Sequence, residues 1–339
     1  MKVAVLAPVA WRTPPRHYGP WEQVASNITE GLIKLGIDVT LFATGDSITG
    51  GKLFSVCDRG YEEDRTQDAK VLECLHISNL MERANEFDII HNNFDFLPLT
   101  YSGLIKTPVI TTIHGFSSPK IIPVFKKYNA AGHYVSISDA DRSPELDYLA
   151  TVYNGLNTKH FEFNAVPNDY LLYFGRIHHD KGTAEAIEIA KKAKRKLIIA
   201  GLIQDEHYFK ERIEPQLNSH IVYIGNAEPA QRNNLLGKAL ALLHPINFNE
   251  PFGMSVAEAM LCGTPVIAFN KGSMPELIRH QKTGFLVNTI NEAVDAVSHI
   301  ENINRPDCHN WSVSQFSSDK MAVDYLNLYE HILMKNPVK

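Results

Sequence analysis

Short apolar runs alternate with stretches of helical period along most of the chain. Lys2 to Pro8 reads KVAVLAP, the length and composition of a strand buried on both faces. Trp21 to Gly36, WEQVASNITEGLIKLG, sets Val24, Ile28, Leu32 and Leu35 on one helical face, with Gly36 as its stop. IDVTLFA, DIIHNN, TPVITTIHG and HYVSIS continue as strands; between them, residues 50–70 read as a charged surface excursion and a helix follows to about Glu86. The period is lost from about His160 to Asp169, around Pro167, which predicts a linker. From Tyr170 it resumes as YLLYFGRI, GTAEAIEIAKKAKR, KLIIAGL, a helix to about Leu217, IVYIGN, a helix to Ala239, ALALLHP, MSVAEAMLCG, PVIAFN, a short helix near Pro275 and GFLV. A last helix is expected from about Ser318 to Met334. Strands alternating with helices at this spacing predict an α/β protein with parallel, doubly wound sheets. The interruption divides it into domains 1–165 and 166–317.

Length agrees, since 339 residues suit two domains of ordinary size. A charged fraction of 21% and a net charge of −5 argue against a whole-protein nucleic-acid footprint. Cys57, Cys74, Cys262 and Cys308 are scattered without a C-x-x-C pair, so neither a disulfide framework nor a zinc site is readable. No apolar run approaches the length of a membrane span, and the chain opens on a strand rather than a signal peptide. A reduced, cytoplasmic protein is expected.

The chemistry concentrates in Asn249 to Met260, NEPFGMSVAEAM. Glu250 falls on a loop beyond a strand's carboxyl end, where open α/β sheets bind ligands. Glu258 falls about one turn into the next helix, and Phe252 and Gly253 offer backbone N–H groups near its start, with Met254 following. Helix-start amides favour anionic oxygen, and carboxylates accept paired hydroxyl protons, so the stretch suits a phosphorylated sugar. FGRIHHDKG places Arg176 just past another strand and Lys181 before a helix, two cations that can grip a diphosphate. His178, His179 and Asp180 between them read as loop, because adjacent side chains do not easily aim at one ion. His114 ends an apolar strand just before Gly115, and His91 ends the preceding one. Asp139-Ala140-Asp141 is formally a D-x-D, but here it reads as the acidic start of a helix. The first strand lacks a G-x-G-x-x-G after it, which disfavours a dinucleotide site.

Glu250 to Ile267, E-x-F-G-x4-E-A-M-x-x-G-x-P-V-I, resembles the donor-site signature of glycosyltransferase family 4, retaining enzymes of the GT-B fold. The resemblance extends over nearly the whole chain, including Arg176, Lys181, the His114 strand and the Asn154-Gly155 turn. It implies two Rossmann-like domains facing across a cleft, the first on the acceptor side with helix 318–339 packed back on it, the second holding the donor. The implied reaction moves a hexosyl group from a UDP- or GDP-sugar to a hydroxyl, without cofactor or metal. It further implies that Glu258 holds the ribose, Glu250 the sugar hydroxyls, Phe252 and Gly253 the sugar or phosphate oxygens, and Arg176 with Lys181 the diphosphate. His114 is implied near the anomeric carbon. The family's Gly-Gly loop stands here as Gly19-Pro20, which removes one backbone N–H, and a later Gly-Gly as Gly272-Ser273. The acceptor is expected on the first domain, near Trp11, Arg12, His17, Tyr18 and Trp21, an aromatic-basic loop that can stack on a sugar ring or equally pack beneath itself. Peripheral membrane contact through Pro119 to Tyr128 is a minor reading, since an ordinary packed helix explains that pattern. Two rival expectations are an epimerase of the same fold, acting on the donor alone, and a protein that binds nucleotide sugars without turnover.

Overall fold

The apolar runs pair in parallel, because each is followed by a helical segment that returns the chain to the same end of the sheet. A computed structural model describes residues 1–335 apart from Ser117 and Glu228. The end of the expected 318–339 helix, residues 336–339, lies outside the described residues. The chain forms two units, Met1–Leu156 with the segment from Ser318 on, and Asn157–Ser317.

The first unit holds β1 (Lys2–Leu6), β2 (Asp38–Phe42), β3 (Lys52–Phe54), β4 (Ile89–Asn92), β5 (Val109–Ile113), β6 (His133–Ser136) and β7 (Tyr148–Thr151). They make a seven-stranded sheet in the order β3-β2-β1-β4-β5-β6-β7. The order reverses between β1 and β4, so the loops leaving these two strands flank a crevice. Helix Pro20–Lys34 covers one face with Val24, Ile28 and Leu32 buried. Leu35, expected on that face, caps the helix and is 40% exposed. Gly36 then takes φ 80°, which ends the helix as expected.

Three local expectations need correction. The excursion at 50–70 contains β3, an edge strand of three residues, too short for its period to show. The other edge, β7, was not foreseen either; all its side chains are half-buried, so it has no alternating pattern. Asp139 and Asp141 open no helix. They sit in the turn between β6 and β7, where Thr151 Oγ1 donates to Asp139 and Ser138 Oγ accepts from the Asp141 N–H at 3.1 Å.

The chain returns to this unit as helix Ser318–Lys335. Met321, Ala322, Tyr325, Tyr329 and Ile332 form its buried stripe, in one core with Val24, Ile28 and Leu32. Gly31 permits the close approach of the two helices: a Cβ there would lie 2.6 Å from the Ala322 Cβ. His91 fastens the helix to the sheet. Its Nδ1 meets Tyr329 Oη at 2.6 Å and its Nε2 meets Thr112 Oγ1 at 2.7 Å, while Thr112 Oγ1 also meets Tyr325 Oη at 2.7 Å. This position is structural, with both ring nitrogens satisfied inside the core.

The second unit holds β8 (Tyr170–Phe174), β9 (Lys196–Ala200), β10 (Ile221–Tyr223), β11 (Ala241–His244), β12 (Val266–Phe269) and β13 (Gly284–Val287), ordered β10-β9-β8-β11-β12-β13. Its crevice lies between the loops leaving β8 and β11. The boundary expected after residue 165 falls earlier. Glu162 N–H donates to Asn233 Oδ1 at 2.9 Å and Asn164 N–H to Cys262 O at 3.1 Å, so the apparent linker is already tied to the second unit. Helices Ile290–Ser298 and Arg305–Phe316 were not anticipated. Arg305, buried at 7% exposure, donates to the carbonyls of Asn164, Gly237 and Ala239 and to Thr264 Oγ1. No helix among the described residues is long and apolar enough to cross a membrane.

The buried His91 makes acid a specific stress on the first unit. Burial pushes its pKa from 6.5 down to about 3. The folded state therefore keeps the ring neutral where the unfolded chain protonates it. The associated stability is complete above about pH 6.5 and is lost as pH falls toward 3. Urea titrations from pH 6.5 to 5 should show the wild type losing stability more steeply than His91→Gln, by up to about 1.4 kcal/mol per pH unit. Equal slopes would contradict a neutral, core-buried imidazole.

Candidate active site

Three loops leave the carboxyl edge of the second sheet and are joined through their backbones. The loop after β8 carries Arg176 to Gly182, the loop after β11 carries Pro245 to Gly253, and the loop after β12 carries Asn270 to Ser273. Asn247 N–H donates to Asp180 O at 2.7 Å, and Ser273 N–H to Glu250 O at 3.0 Å. Two glycines make the fit possible. Gly182, at φ 75°, abuts the Pro245 carbonyl, and Gly272, at φ 54°, abuts the backbone N and O of Glu250. In each case a Cβ would fall well inside contact distance of main-chain atoms, so the loops approach as closely as backbone allows.

This arrangement brings Lys181 to Glu250. Nζ lies 2.6 Å from Oε2, with side chains only 15% and 13% exposed, and the ammonium also stands 4.5 Å above the Phe248 ring. Such a shielded, charge-assisted pair is stronger than a surface ion pair. His244, the last residue of β11, is buried with Nε2 at 3.8 Å from the same carboxylate oxygen. Burial pulls its pKa down to about 4, against the raising influence of Glu250, so the ring is neutral at ordinary pH. Arg176 lies half-buried in the β8 loop and donates through Nη1 to Gln204 Oε1.

Helix Met254–Leu261 begins where expected, with Gly253 as its N-cap in left-handed conformation at φ 90°. Met254 is its first residue. The Phe252 ring is packed inside the unit against Phe316 at 5.7 Å between centroids, and its carbonyl accepts from Ser273 Oγ at 2.7 Å. Glu258 is buried on this helix, and burial raises its pKa, opposed by Arg232. Arg232 Nη1 lies 3.2 Å away and its guanidinium stands over Phe161. Sequence reasoning missed this partner, one polar residue among many in helix Pro229–Lys238. It also missed His244, although a histidine ending an apolar run is the signal that marked His114.

Adjacency does not keep His178 and His179 apart in aim. With Asp205 from the next loop, they present ligand atoms all within 4.8 Å of one another, a geometry able to hold a metal ion. Among the described residues this is the one such group, and His179 is largely exposed.

In the first unit, His114 follows β5. Its Nε2 meets Asn93 Oδ1 at 3.0 Å, its ring stacks on Trp21 at 5.7 Å, and burial draws its pKa down to about 3. It therefore acts as a neutral ring, and its buried Nδ1 has no hydrogen-bond partner among the described residues. Gly19 caps helix Pro20–Lys34 at φ 149°, and Pro20 takes the first helical position, where its missing N–H costs nothing. The proline is thus a helix start as well as a departure from a Gly-Gly loop.

The family model of glycosyl transferases group 1 matches residues 157–313, nearly all of the second unit and all three of its loops. An uncharacterized glycosyltransferase of Methanocaldococcus jannaschii is 23% identical, covering 97% of this chain and 98% of its own. Among solved structures, AviGT4, a glycosyltransferase involved in avilamycin A biosynthesis, superposes with a TM-score of 0.73 at 22% identity, over 98% of each chain. The Anabaena protein HepE in complex with UDP gives 0.73 at 17% identity, over 98% of this chain and 100% of its own. The fold is that of these structures, GT-B, with two Rossmann-like doubly wound parallel-sheet units.

The glycine contacts give a structural prediction. Gly225 also has positive φ, 81°, but a Cβ there would meet nothing within 4 Å. Gly272→Ala and Gly225→Ala thus share a backbone penalty, and only the first must displace Glu250. Gly272→Ala should destabilise the second unit by about 1–3 kcal/mol more than Gly225→Ala, the usual range for overpacking. Urea denaturation followed by far-UV circular dichroism measures this; equal effects would mean the loops are not in contact.

Proposed function

We propose that the chain is a retaining, metal-independent glycosyltransferase that moves a hexosyl group from a nucleoside-diphosphate sugar to an acceptor hydroxyl. The observation carrying this reading is the Lys181–Glu250 pair at the crevice of the unit that matches group 1 glycosyl transferases, with Arg176 on the same loop as Lys181 and Glu258 on the helix that follows the Glu250 loop. Two cations and a carboxylate on loops, with a second carboxylate on the adjoining helix, suit a ligand that is anionic at one part and rich in hydroxyls at another.

Arg176 and Lys181 are assigned to the diphosphate, Glu250 to the sugar hydroxyls and Glu258 to the ribose. The amides at Phe252, Gly253 and Met254 are assigned to sugar or phosphate oxygens. The Lys181–Glu250 contact gives the roles a physical link, because each group holds the other in place where diphosphate and sugar would meet. In the reaction the acceptor oxygen bonds to the anomeric carbon as that carbon's bond to the diphosphate breaks. The electron pair leaves with the diphosphate, which takes the acceptor's proton. Arg176 and Lys181 would stabilise the charge gathering there. In the first unit His114 and Gly19 keep the roles the resemblance implies, His114 as a neutral hydrogen-bonding ring. The likeness to HepE makes UDP the first base to test, with GDP next. Four free thiols suit a cytoplasmic setting.

Incubation with a panel of nucleotide sugars, with and without candidate acceptors, tests the whole reading through release of nucleoside diphosphate. Acceptor-dependent release is expected; conversion of a donor into another sugar nucleotide, or binding without turnover, would replace it. Transfer should survive EDTA. A strict metal requirement would point to His178, His179 and Asp205 first. Glu258→Gln should weaken donor binding roughly 10- to 150-fold, the loss of one charge-assisted hydrogen bond, with little change in kcat. Arg176→Ala and Lys181→Ala should instead lower kcat at saturating donor by ~10²–10³, since their assistance grows toward the transition state. Near-normal kcat in both variants, once circular dichroism shows them folded, would remove them from the site.

A further inference from the structure

A cavity of about 480 Å³ opens at the reversal point of the first sheet, between the loops leaving β1 and β4. Its lining is of two kinds. Trp11, Tyr18 and Trp21 supply aromatic surface from the first loop and helix, and Phe94 and Phe96 supply it from the second. Between these rings stand three carboxyl groups: Glu22, Glu73 and Asp95. No lysine, arginine or histidine is in the lining among the described residues. The cations of the first loop are engaged elsewhere, Arg12 with Pro14 O and Arg16 with Asp46 and Glu63.

These carboxyls are poorly satisfied by the protein. Glu22 is 3% exposed, and the one hydrogen bond it takes from another of the described residues is long, from Trp11 N–H to Oε1 at 3.3 Å. Glu73 accepts from Tyr61 Oη at 3.2 Å. Asp95 occupies a backbone conformation that side chains rarely adopt, φ 124°, and the Asn92 amide holds it there through the Asp95 carbonyl at 2.8 Å. Burial pushes Glu22 and Asp95 up to about 7, with the neighbouring charges of Glu63 and Glu73 adding to the rise. Each acid has a neutral hydrogen-bond partner, Asp95 through the Phe96 N–H, but no cation among the lining residues, so the cavity favours a positively charged ligand over a nucleoside diphosphate and does not duplicate the second unit's crevice.

We propose that this cavity selects an acceptor carrying a protonated amine, an aminosugar or aminocyclitol, whose ring packs on the tryptophans and whose ammonium meets Glu22, Glu73 and Asp95. The assignment rests on the glycosyl-transfer reading for the word acceptor. Aromatic faces suit both the C–H face of a sugar ring and a cation, and buried carboxylates suit only the cation strongly. The ammonium is a recognition element and is not consumed; a hydroxyl of the same ring is the group glycosylated.

Calorimetry with the full chain tests this. Glucosamine and streptamine are the probes, against glucose, N-acetylglucosamine and scyllo-inositol, which keep the ring but lack the charge. The amines should bind about tenfold or more tighter than their neutral counterparts, the advantage of a charge-assisted bond over a neutral one. Asp95→Asn with Glu73→Gln should cut that ratio severalfold, Glu22 keeping the remainder, while leaving UDP binding unchanged. Asp95→Asn alone, should the double variant not fold, should reduce the ratio in the same direction. Equal binding of charged and neutral rings, or an amine preference untouched by these variants, would overturn the proposal. Donor turnover with a neutral acceptor would leave the transferase reading standing and this one refuted. Amine selectivity without any donor binding would do the reverse.

Discussion

A parallel strand pair forces the chain to cross over the sheet, and right-handed crossovers place successive helices predictably on its two faces. Everything functional here follows from that constraint. Each sheet starts near its middle, runs outward to one side, then returns to fill the other, and at the reversal two loops diverge. In the second unit the diverging loops carry the cations and Glu250. In the first they carry aromatic rings and carboxyls. Two copies of one topology thus present opposite chemistry at equivalent places.

The second unit shows how such loops become a site rather than two frayed ends. Main-chain contact, not side-chain packing, sets their spacing: Gly182 on Pro245, Gly272 on Glu250, and the Asn247 amide on Asp180. The Lys181–Glu250 pair stands on that frame. A shielded ion pair on mobile supports would give up much of its Coulomb gain to ordering. Fixed backbones remove that penalty, and His244 stays neutral beneath it instead of competing for the carboxylate.

Most of this frame was legible because buried parallel strands are short apolar runs and their helices end at glycines. The edges were not. β3 and β7 are half-exposed and carry no period, and the apparent linker from about His160 to Asp169 looks irregular because it folds onto the second unit through backbone hydrogen bonds that no pattern records. Candidate residues were found where polar groups follow apolar strands, which located Glu250, Arg176 and Lys181. What that signal cannot give is pairing. Lys181 and Glu250, 69 positions apart, were each placed alone until the fold joined them, and Arg232, 26 positions from Glu258, was not singled out at all. His91 carried the same sequence signal as His114 and turned out to tie the C-terminal helix to the sheet.

The chain's exit from the first unit and its return to it meet in one hydrogen bond, Ser318 N–H to Leu156 O at 2.8 Å. Residues 157–317 are therefore, in topological terms, a cassette inserted into a turn of the first unit, entering and leaving through neighbouring points. Exchange of the whole cassette between related chains would need only two splice sites, both at one place, where Leu156 is buried and Ser318 half-buried at the edge of a core that the exchange leaves uncut. Recombination of this kind replaces one unit's loops and leaves the other unit's core intact.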